Sequence, residues 1–235
     1  MLNPEKDPMG HAVSDYWLTG RADKLIVKSD VTEPDEIPVS CLFRTPDEMP
    51  AVEIKALEKC RGSVLDIGAG TGVHSLALKA RGFGGVKSID ISALSVDVMR
   101  SRGVERAACL DFFDSGFKQK YDTLLFLMNG IGIAGTLAGL DYFLNCCIEH
   151  LNPGGQILLD SSDISYMFDS SEAFPDHYYG EVLYQMIYKD IYSDIFRWLF
   201  VDFNTLRKAC SRFGLNCTLL MEEENNSYLA RLSPV

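Results

Sequence analysis

The stretch of sequence that decides the fold runs Val64-Leu65-Asp66-Ile67-Gly68-Ala69-Gly70-Thr71-Gly72. Its first residues are apolar, as in a buried strand, and residues 73–80 carry apolar side chains at helical spacing. The glycines in between let the backbone turn sharply and approach a ligand closely, because they have no side chain. The helix that follows presents free N–H groups at its N-terminus, so the stretch predicts a loop that faces a ligand.

Strands and helices alternate on both sides of this loop. The pattern predicts further strands at 86–91, 107–110, 121–128 and 156–160 and helices at 46–60, 92–103 and 137–151. Ser92 can cap the second of these helices. Such alternation is typical of an α/β fold with a parallel sheet and helices on both faces. The last segments, 215–221 and 228–232, predict a hairpin that adds antiparallel strands at one edge.

The ends of the pattern suggest the domain organisation. We interpret residues 1–45 as an N-terminal extension or lid packed on the core, with a strand-like run at 24–27. Residues 46–235 then form one domain with a hairpin insertion at about 165–201, whose strands are expected at 181–188 and 195–201. A helix capped by Asp202 or Asn204 is expected to end at Gly214.

Composition excludes several classes of function. The 235 residues carry a net charge of −11, which disfavours binding to the phosphates of nucleic acids. The seven cysteines include no C-x-x-C pair, so we expect no metal site and a reducing, cytoplasmic location. We expect no membrane partner, because no apolar run is long enough to span a bilayer. Monomer and homodimer both stay open.

The spacing of the glycines distinguishes between cofactors. Dinucleotide-binding loops follow G-x-G-x-x-G, whereas here the third glycine comes one residue early and Val73 takes its place. Asp66, just before the loop, places a carboxylate where a pyrophosphate would be repelled and a cationic amino group would be attracted. These features argue against a nicotinamide-dependent oxidoreductase.

At this point the sequence resembles the class I S-adenosylmethionine (SAM) dependent methyltransferases, over roughly residues 60–160. The resemblance implies a Rossmann-like α/β fold with a mostly parallel seven-stranded sheet and an antiparallel C-terminal edge strand. It implies SAM as the cofactor and S-adenosyl-L-homocysteine (SAH) as the product. It also implies that Asp66 helps hold the methionine amino group and that Gly68, Ala69, Gly70 and Gly72 line the cofactor.

Later positions match the same family in order. The resemblance implies that Asp90, with Ile91 beside it, binds the ribose hydroxyls. It implies that Asp111-Phe112 meets the adenine and that Asn129 lies at the methionine end, near the mouth of the substrate pocket. Structural alternatives stay open: Asp66 in a ligand-free turn, Asp90 as a helix-start acid near Ser92, Asp111 as a loop acid and Asn129 as a turn residue.

The residue that would act as a general base is not decided by the sequence. Methyl transfer from a sulfonium needs mainly alignment and exclusion of water, with a base where the acceptor is protonated. The candidates lie in the N-terminal extension or at and beyond the end of the fifth strand: His11, Tyr16, Asp160, Tyr166 and His177. Structural roles compete for all five, as helix capping does for Asp160.

The acceptor is narrowed by what the sequence lacks. After the fourth strand stands Asn129-Gly130-Ile131-Gly132, instead of the Asn/Asp-Pro-Pro-Tyr/Phe segment of amino-methylating nucleic-acid enzymes. No Pro-Cys pair offers the thiol of cytosine-C5 enzymes. We therefore expect a methyltransferase that acts on a small molecule through an O, N or C nucleophile. A protein methyltransferase and a SAM-binding regulatory protein without transferase activity are the alternatives.

Overall fold

A computed structural model describes residues 1–168 and 177–235 of the chain. In these residues the α-helices are α1 Pro8–Thr19, α2 Ala51–Lys59, α3 Val73–Ala80, α4 Ala93–Ser101, α5 Leu137–Glu149 and α6 Phe203–Arg212. The strands are β1 Leu25–Ser29, β2 Asp35–Ile37, β3 Val64–Ile67, β4 Val86–Asp90, β5 Ala107–Cys109, β6 Tyr121–Phe126, β7 Leu151–Ser162, β8 Glu181–Tyr188, β9 Ile191–Tyr192, β10 Phe196–Leu199, β11 Leu215–Glu222 and β12 Ser227–Pro234.

The strands form two sheets. The larger has seven strands in the order β11-β12-β7-β6-β3-β4-β5. Pairing is parallel between β4 and β5 and between β6 and β7, and antiparallel where β12 meets β7 and β11. The predicted Rossmann-like α/β fold with an antiparallel C-terminal edge is therefore confirmed. The smaller sheet has the order β10-β8-β1-β2, with β9 paired to β8.

The chain divides into two compact units, and the first contains the glycine-rich loop. This unit comprises Met1–Met49, Leu65–Asp114 and Leu183–Phe196. In it, β1 pairs antiparallel with β2 and with β8, where Leu25 lies opposite Tyr188. The predicted strand-like run at 24–27 thus belongs to a sheet. Helix α1 packs against β1 through a buried cluster: Ala12, Val13, Leu25, Val39, Val98 and Tyr188.

The second unit comprises Pro50–Val64, Ser115–Val182 and Arg197–Val235. Its predicted helix α6 is capped by Asp202, whose side chain accepts from the Thr205 amide, and the predicted hairpin is β11 and β12. Strand β7 pairs in parallel with β6, but its register shifts: Tyr121 lies opposite Leu151 and Thr123 opposite Gln156. Residues 152–155 of β7 lie between these two pairs, where β6 has Asp122 alone, so the Asn-Pro-Gly-Gly segment is an irregularity in β7.

Several predicted boundaries were wrong. The helix expected at 46–60 begins at Ala51, because Pro50 takes the capping position and residues 46–48 form a separate 3-10 turn. The helix expected at 137–151 ends at Glu149, before the Asn-Pro-Gly-Gly segment that was expected to stop it. The last strand of the insertion is Phe196–Leu199, shorter than the expected 195–201. Part of that insertion, residues 169–176, lies outside the described residues.

No helix in the described ranges has the length and apolar character needed to cross a bilayer.

Candidate functional site

The glycine-rich loop is shaped by backbone conformation. Gly68, Gly70 and Gly72 have φ values of +67°, +56° and +80°, a region that side chains disfavour. The amides of Gly68 and Ala69 both donate to the Ile89 carbonyl oxygen, at 3.0 and 3.1 Å. These two amides are therefore used in bonds to β4 and do not point at a ligand. What the loop offers a ligand is mainly a backbone that can be approached closely.

Two of the three glycines face free space. Among the described residues, apart from the glycine itself and its two chain neighbours, no heavy atom lies within 4 Å of the position that a Cβ would take on Gly68 or Gly70. On Gly72 a Cβ would lie 2.7 Å from Val104 and 3.1 Å from Met99. Close packing against these two side chains explains why a glycine is needed at position 72. A contact between Gly72 and the cofactor stays a prediction. Ala69 is likewise buried.

Asp66 is buried at the end of β3, with a side chain 1% exposed. Its Oδ2 accepts a hydrogen bond of 2.6 Å from the Ser75 hydroxyl, and the carboxylate also accepts from the Ser75 amide. Ser75 lies in the first turn of α3, so Asp66 supplies the acceptor that the N-cap residue, Gly72, lacks. Burial raises the pKa of Asp66, while His74 and the Ser75 bonds oppose that shift.

Asp90 ends β4 and is tied to the loop. Its Oδ2 accepts from the Gly70 amide at 2.9 Å, and its Oδ1 accepts from the Ser92 amide at 2.9 Å. Each carboxylate oxygen can accept further bonds, and Asp90 is only half-buried, so acceptor capacity remains for a ligand. Burial raises the pKa of Asp90, as do the nearby charges of Asp7 and Asp66.

Ser92 caps α4 as the sequence predicted, since its hydroxyl accepts from the Ser95 amide at 3.0 Å. Ile91, between Asp90 and this cap, is 44% exposed, and its carbonyl accepts from the Leu2 amide at 2.9 Å. An apolar side chain therefore lies exposed beside the carboxylate of Asp90.

A cavity of about 480 Å³ lies beyond the end of β5. It is lined by Met1, Cys109, Leu110, Asp111, Phe113 and Asp114. Of the predicted adenine pair, Asp111 lines this cavity and also binds the Phe113 amide through its side chain, at 2.9 Å. Phe112 is 3% exposed and is not among the lining residues, whereas the adjacent Phe113 is.

These features fit a cationic nucleoside. Open space over Gly68 and Gly70 accommodates a ligand that touches the backbone. The carboxylates of Asp66 and Asp90 lie at the ends of adjacent strands and supply negative charge, and Asp111 lines a cavity. The same arrangement lacks the third-glycine spacing of a dinucleotide site.

The SAM-dependent methyltransferase of Bacteroides fragilis, solved in complex with S-adenosyl-L-homocysteine, matches the whole length of this chain. It is 44% identical, the match covers 100% of this chain and 98% of that one, and the TM-score is 0.95. This chain belongs to the SAM-dependent methyltransferases. SAM is accordingly its cofactor. No family model matches the chain.

Two further proteins are less similar to this chain. The cypemycin N-terminal methyltransferase of a Streptomyces species is 34% identical over 104 residues, which is 43% of this chain and 42% of that protein. The chain therefore matches less than half the length of this curated relative. The sugar N-methyltransferase KedS8 of a Streptoalloteichus species is 16% identical over 85% of this chain and 94% of its own, with a TM-score of 0.57. That likeness shows the fold alone.

Asn129 follows β6 in the second unit and adopts φ +55°, after Met128 at +62°. Its amide donates to Asp160 at 2.8 Å, and its side chain binds the Ser161 hydroxyl and the Leu199 carbonyl, at 2.9 and 3.1 Å. These bonds describe a turn that links the ends of β6 and β7. The role of Asn129 toward the cofactor stays a prediction.

The catalytic candidates of the second unit lie in different environments. Asp160 is 8% exposed and is held by the Asn129 amide. Tyr166 is 61% exposed in a short 3-10 turn after β7, and His177 is also exposed. Among the described contacts, none joins any two of these three residues.

The candidates of the first unit both lie on α1. His11 places Nε2 3.1 Å from the Pro4 carbonyl oxygen. The Tyr16 ring packs on Phe43, with 4.8 Å between centroids. Both contacts are local to the N-terminal segment, and neither involves the glycine loop.

A polar cluster that the sequence did not reveal lies in the second unit. The Tyr178 hydroxyl donates to Asp202 and the Tyr179 hydroxyl to Asp163, both at 2.8 Å. Burial raises the pKa of Tyr178 to about 12, and burial together with the Tyr178 and Asp163 contacts raises the pKa of Tyr179 further. Both phenols are therefore hydrogen-bond donors, not bases, near neutral pH.

A second set of contacts that the sequence did not reveal holds Thr71 of the glycine-rich loop in place. The Arg102 guanidinium donates to the Thr71 carbonyl and hydroxyl oxygens, at 2.7 and 2.6 Å, and lies 4.9 Å from the Phe43 ring centroid. The Thr71 hydroxyl also donates to the Leu42 carbonyl. No motif flags these residues, because the contacts join three distant segments of the chain.

Proposed function

We propose that this methyltransferase moves the methyl group of SAM to a small-molecule acceptor, with Gly68, Gly70 and Asp90 forming the core of its cofactor site. The observation that carries the proposal is the bond between the Gly70 amide and the Asp90 carboxylate, beside two glycines that face free space. A 44% identical relative that was solved with SAH supports this assignment.

Asp90 is proposed to accept the two ribose hydroxyls. Its oxygens already accept from the Gly70 and Ser92 amides, which fixes the plane of the carboxylate before a ligand arrives. Ile91 and the cavity lined by Asp111 and Phe113 would then receive the adenine. We favour Phe113 over Phe112 as the aromatic contact, because Phe112 is buried.

Asp66 is proposed to act on the methionine end by charge and through water. Its side chain is 1% exposed and already caps α3, so a direct bond to the amino group would compete with Ser75. When bound, SAM supplies a methyl group that its sulfonium already activates. The chain's residues have to hold the cofactor, exclude water and orient the acceptor.

For the acceptor we favour a small molecule with an amine. The net charge of −11 suits a cationic acceptor and disfavours nucleic acid. The relative named for N-terminal methylation of cypemycin, 34% identical over 104 residues, supports nitrogen as the nucleophile. A protonated amine must lose a proton before attack, so a base would be required.

The base remains among the candidates His11, Tyr16, Asp160, Tyr166 and His177. Asp160 lies at the carboxyl end of β7, the end at which open α/β sheets bind ligands. Tyr178 and Tyr179 are excluded from that role by their raised pKa values, and we propose that they order the segment before β8. The seven free cysteines support action in a reducing compartment, which we take to be the cytoplasm.

The proposal is tested by incubating the protein with SAM labelled in its methyl group and two fractions of a cell extract. One fraction contains molecules below the size of a peptide, and the other contains the proteins. We expect label in the small-molecule fraction, and mass spectrometry would show whether nitrogen carries it. The Asp90→Ala variant serves as the control, and it should transfer much less label at a SAM concentration below its raised dissociation constant.

Other outcomes would replace the proposal. Label confined to the protein fraction would identify a protein methyltransferase. Tight binding of SAM without label in either fraction, across extracts of several organisms, would favour a regulatory protein. Label on oxygen or carbon would overturn the choice of an amine and leave the rest intact.

A further inference from the structure

Asp7 is a buried acid that the sequence did not assign to the cofactor site. Its side chain is 1% exposed and caps α1, because Oδ1 accepts from the Gly10 amide at 2.8 Å. Its second oxygen, Oδ2, accepts a short hydrogen bond from the Ser92 hydroxyl. The Asp7 carboxylate therefore caps α1 and also binds Ser92, which is the N-cap residue of α4.

Ser92 connects this acid to Asp90. Its hydroxyl accepts from the Ser95 amide and donates to Asp7, while its own amide donates to Asp90 Oδ1 at 2.9 Å. Asp90 in turn accepts from the Gly70 amide. One continuous series of hydrogen bonds therefore runs from the N-terminus of α1 to the glycine-rich loop.

Gly10 shows how closely the two helix ends approach. A Cβ on Gly10 would lie 2.2 Å from Asp7 Oδ2 and 2.6 Å from the Ser92 hydroxyl oxygen. A side chain at residue 10 would therefore push Asp7 and Ser92 apart, so the contact between the two caps depends on glycine at this position.

The segment before α1 lies against the same part of the site. The Leu2 amide donates to the Ile91 carbonyl, and Met1 lines the cavity that also contains Asp111. Residues that precede Asp7 therefore lie beside the proposed ribose and adenine positions.

We propose that Asp7 is a positioning residue of the cofactor site, which holds the Ser92 hydroxyl and thereby fixes the Ser92 amide that orients the Asp90 carboxylate. This inference rests on the proposed role of Asp90 in ribose binding. The carboxylate torsion of an aspartate is soft, so two amide donors are needed to keep both oxygens in the plane that the ribose requires. Ordering that plane in advance removes part of the entropy cost of binding.

The test measures SAH affinity by calorimetric titration for Asp7→Ala, Asp7→Asn and Ser92→Ala. We expect Asp7→Ala and Ser92→Ala each to raise the dissociation constant by about three- to tenfold, the range for one net hydrogen bond. Because both changes break the same connection, the double variant should bind about as well as the weaker single variant. Asp7→Asn keeps the α1 cap and should lie between Asp7→Ala and the unchanged protein.

Asp15→Asn is the matched control on the same helix. Asp15 anchors the other end of α1, where it accepts from the Tyr188 hydroxyl at 2.8 Å and pairs with Lys189 at 2.6 Å. Its substitution removes an acid and loosens α1 without touching Ser92. We expect a lower melting temperature and an unchanged dissociation constant for SAH.

A pH profile supplies a readout that a purely structural role would not move. Among the residues that the structure describes, the charged or titratable groups that face Asp90 include Asp7, Asp66 and the Cys109 thiol. The Asp7 charge raises the pKa of Asp90, so Asp7→Asn should shift the acid limb of SAH binding to lower pH. The profile of Asp15→Asn should coincide with that of the unchanged protein.

The outcomes separate this inference from the proposed function. If Asp90→Ala binds SAH normally, the ribose role fails and the inference fails with it. If Asp90→Ala weakens binding while Asp7→Ala and Ser92→Ala do not, only the inference is overturned. Additive losses in the double variant would also overturn it, and should Asp7→Ala not fold, Ser92→Ala and Asp7→Asn decide the question.

Discussion

The Asp90 carboxylate and the Gly70 amide are joined by a hydrogen bond of 2.9 Å. This bond makes the acid at the end of β4 and the glycine-rich loop after β3 a single structural unit. The loop keeps its positive-φ conformation beside a carboxylate that it helps to orient. A change in either residue is therefore expected to alter the cofactor site as a whole.

Asp90→Ala should weaken SAH binding by about tenfold to a hundredfold, because hydrogen bonds to a charged group contribute about 1.5–3 kcal/mol. The measurement is a calorimetric titration. Asp97→Ala is the control, since Asp97 lies on α4 with a side chain that is 72% exposed and forms an ion pair with Arg100. Equal losses in the two variants would indicate a general charge effect and remove Asp90 from the ribose role.

Gly70→Val should abolish SAH binding, since a β-branched side chain would occupy the free space over the loop and disfavour φ +56°. Gly82→Val is the matched control, because Gly82 also has positive φ, at +89°, and also faces free space. Both variants should lose about 1–3 kcal/mol of unfolding free energy to backbone strain. Only Gly70→Val should lose the ligand, and a Gly70→Val protein that still bound SAH would place the cofactor elsewhere.

Asp66 predicts a specific pH dependence of stability. Burial raises its pKa above 3.8 in the folded state, so the folded protein binds a proton more readily than the unfolded chain. Stability from this group is present at low pH and is lost as the pH rises through the folded pKa. Urea unfolding of the unchanged protein and of Asp66→Asn, in a pH series that starts below the ordinary pKa of 3.8 and rises to neutral pH, measures this dependence.

The neutral asparagine side chain of that variant cannot titrate, so the stability of the variant should fall less over this interval. A difference between the two proteins that stays constant with pH would contradict the raised pKa of Asp66.

Tyr178→Phe should destabilise the second unit by about 1–3 kcal/mol, because the phenol both donates to the Asp202 carboxylate and accepts from the Asp202 amide. Tyr192→Phe is the control, since Tyr192 is 52% exposed, and it should change stability by less than about 0.5 kcal/mol. Urea unfolding of both variants gives the comparison. Equal stability of the two variants would mean that water replaces the Tyr178 hydroxyl without loss.

The loop and its neighbours could be predicted from the sequence because their signals are local. Glycine spacing predicted the turn, and Ser92 was recognised as a cap because its partner is only three residues away. The Asp111-Phe112 prediction found an acid that lines the cavity, but it could not decide which of two adjacent phenylalanines is buried. That choice depends on the turn that Asp111 forms with the Phe113 amide.

Contacts between distant segments could not be predicted. The Asp7 to Ser92 bond joins residues 85 apart, and the pairing of β1 with β8 brings Leu25 opposite Tyr188. Helix α1 did have local signals, with Asp7 as its cap, Pro8 in its first turn and Gly20 after its end. The prolines and acids of residues 1–45 predicted an extension or lid packed on the core, in which the one expected element was a strand-like run.

The most direct test of the account is a crystal structure of this protein with SAH. We predict that both ribose hydroxyls lie within hydrogen-bond distance of the Asp90 carboxylate, and that the methionine part contacts the backbone at Gly68 and Gly70. A cofactor bound away from this loop, or a ribose held by other side chains while Asp90 bonds only to the Gly70 and Ser92 amides, would contradict it.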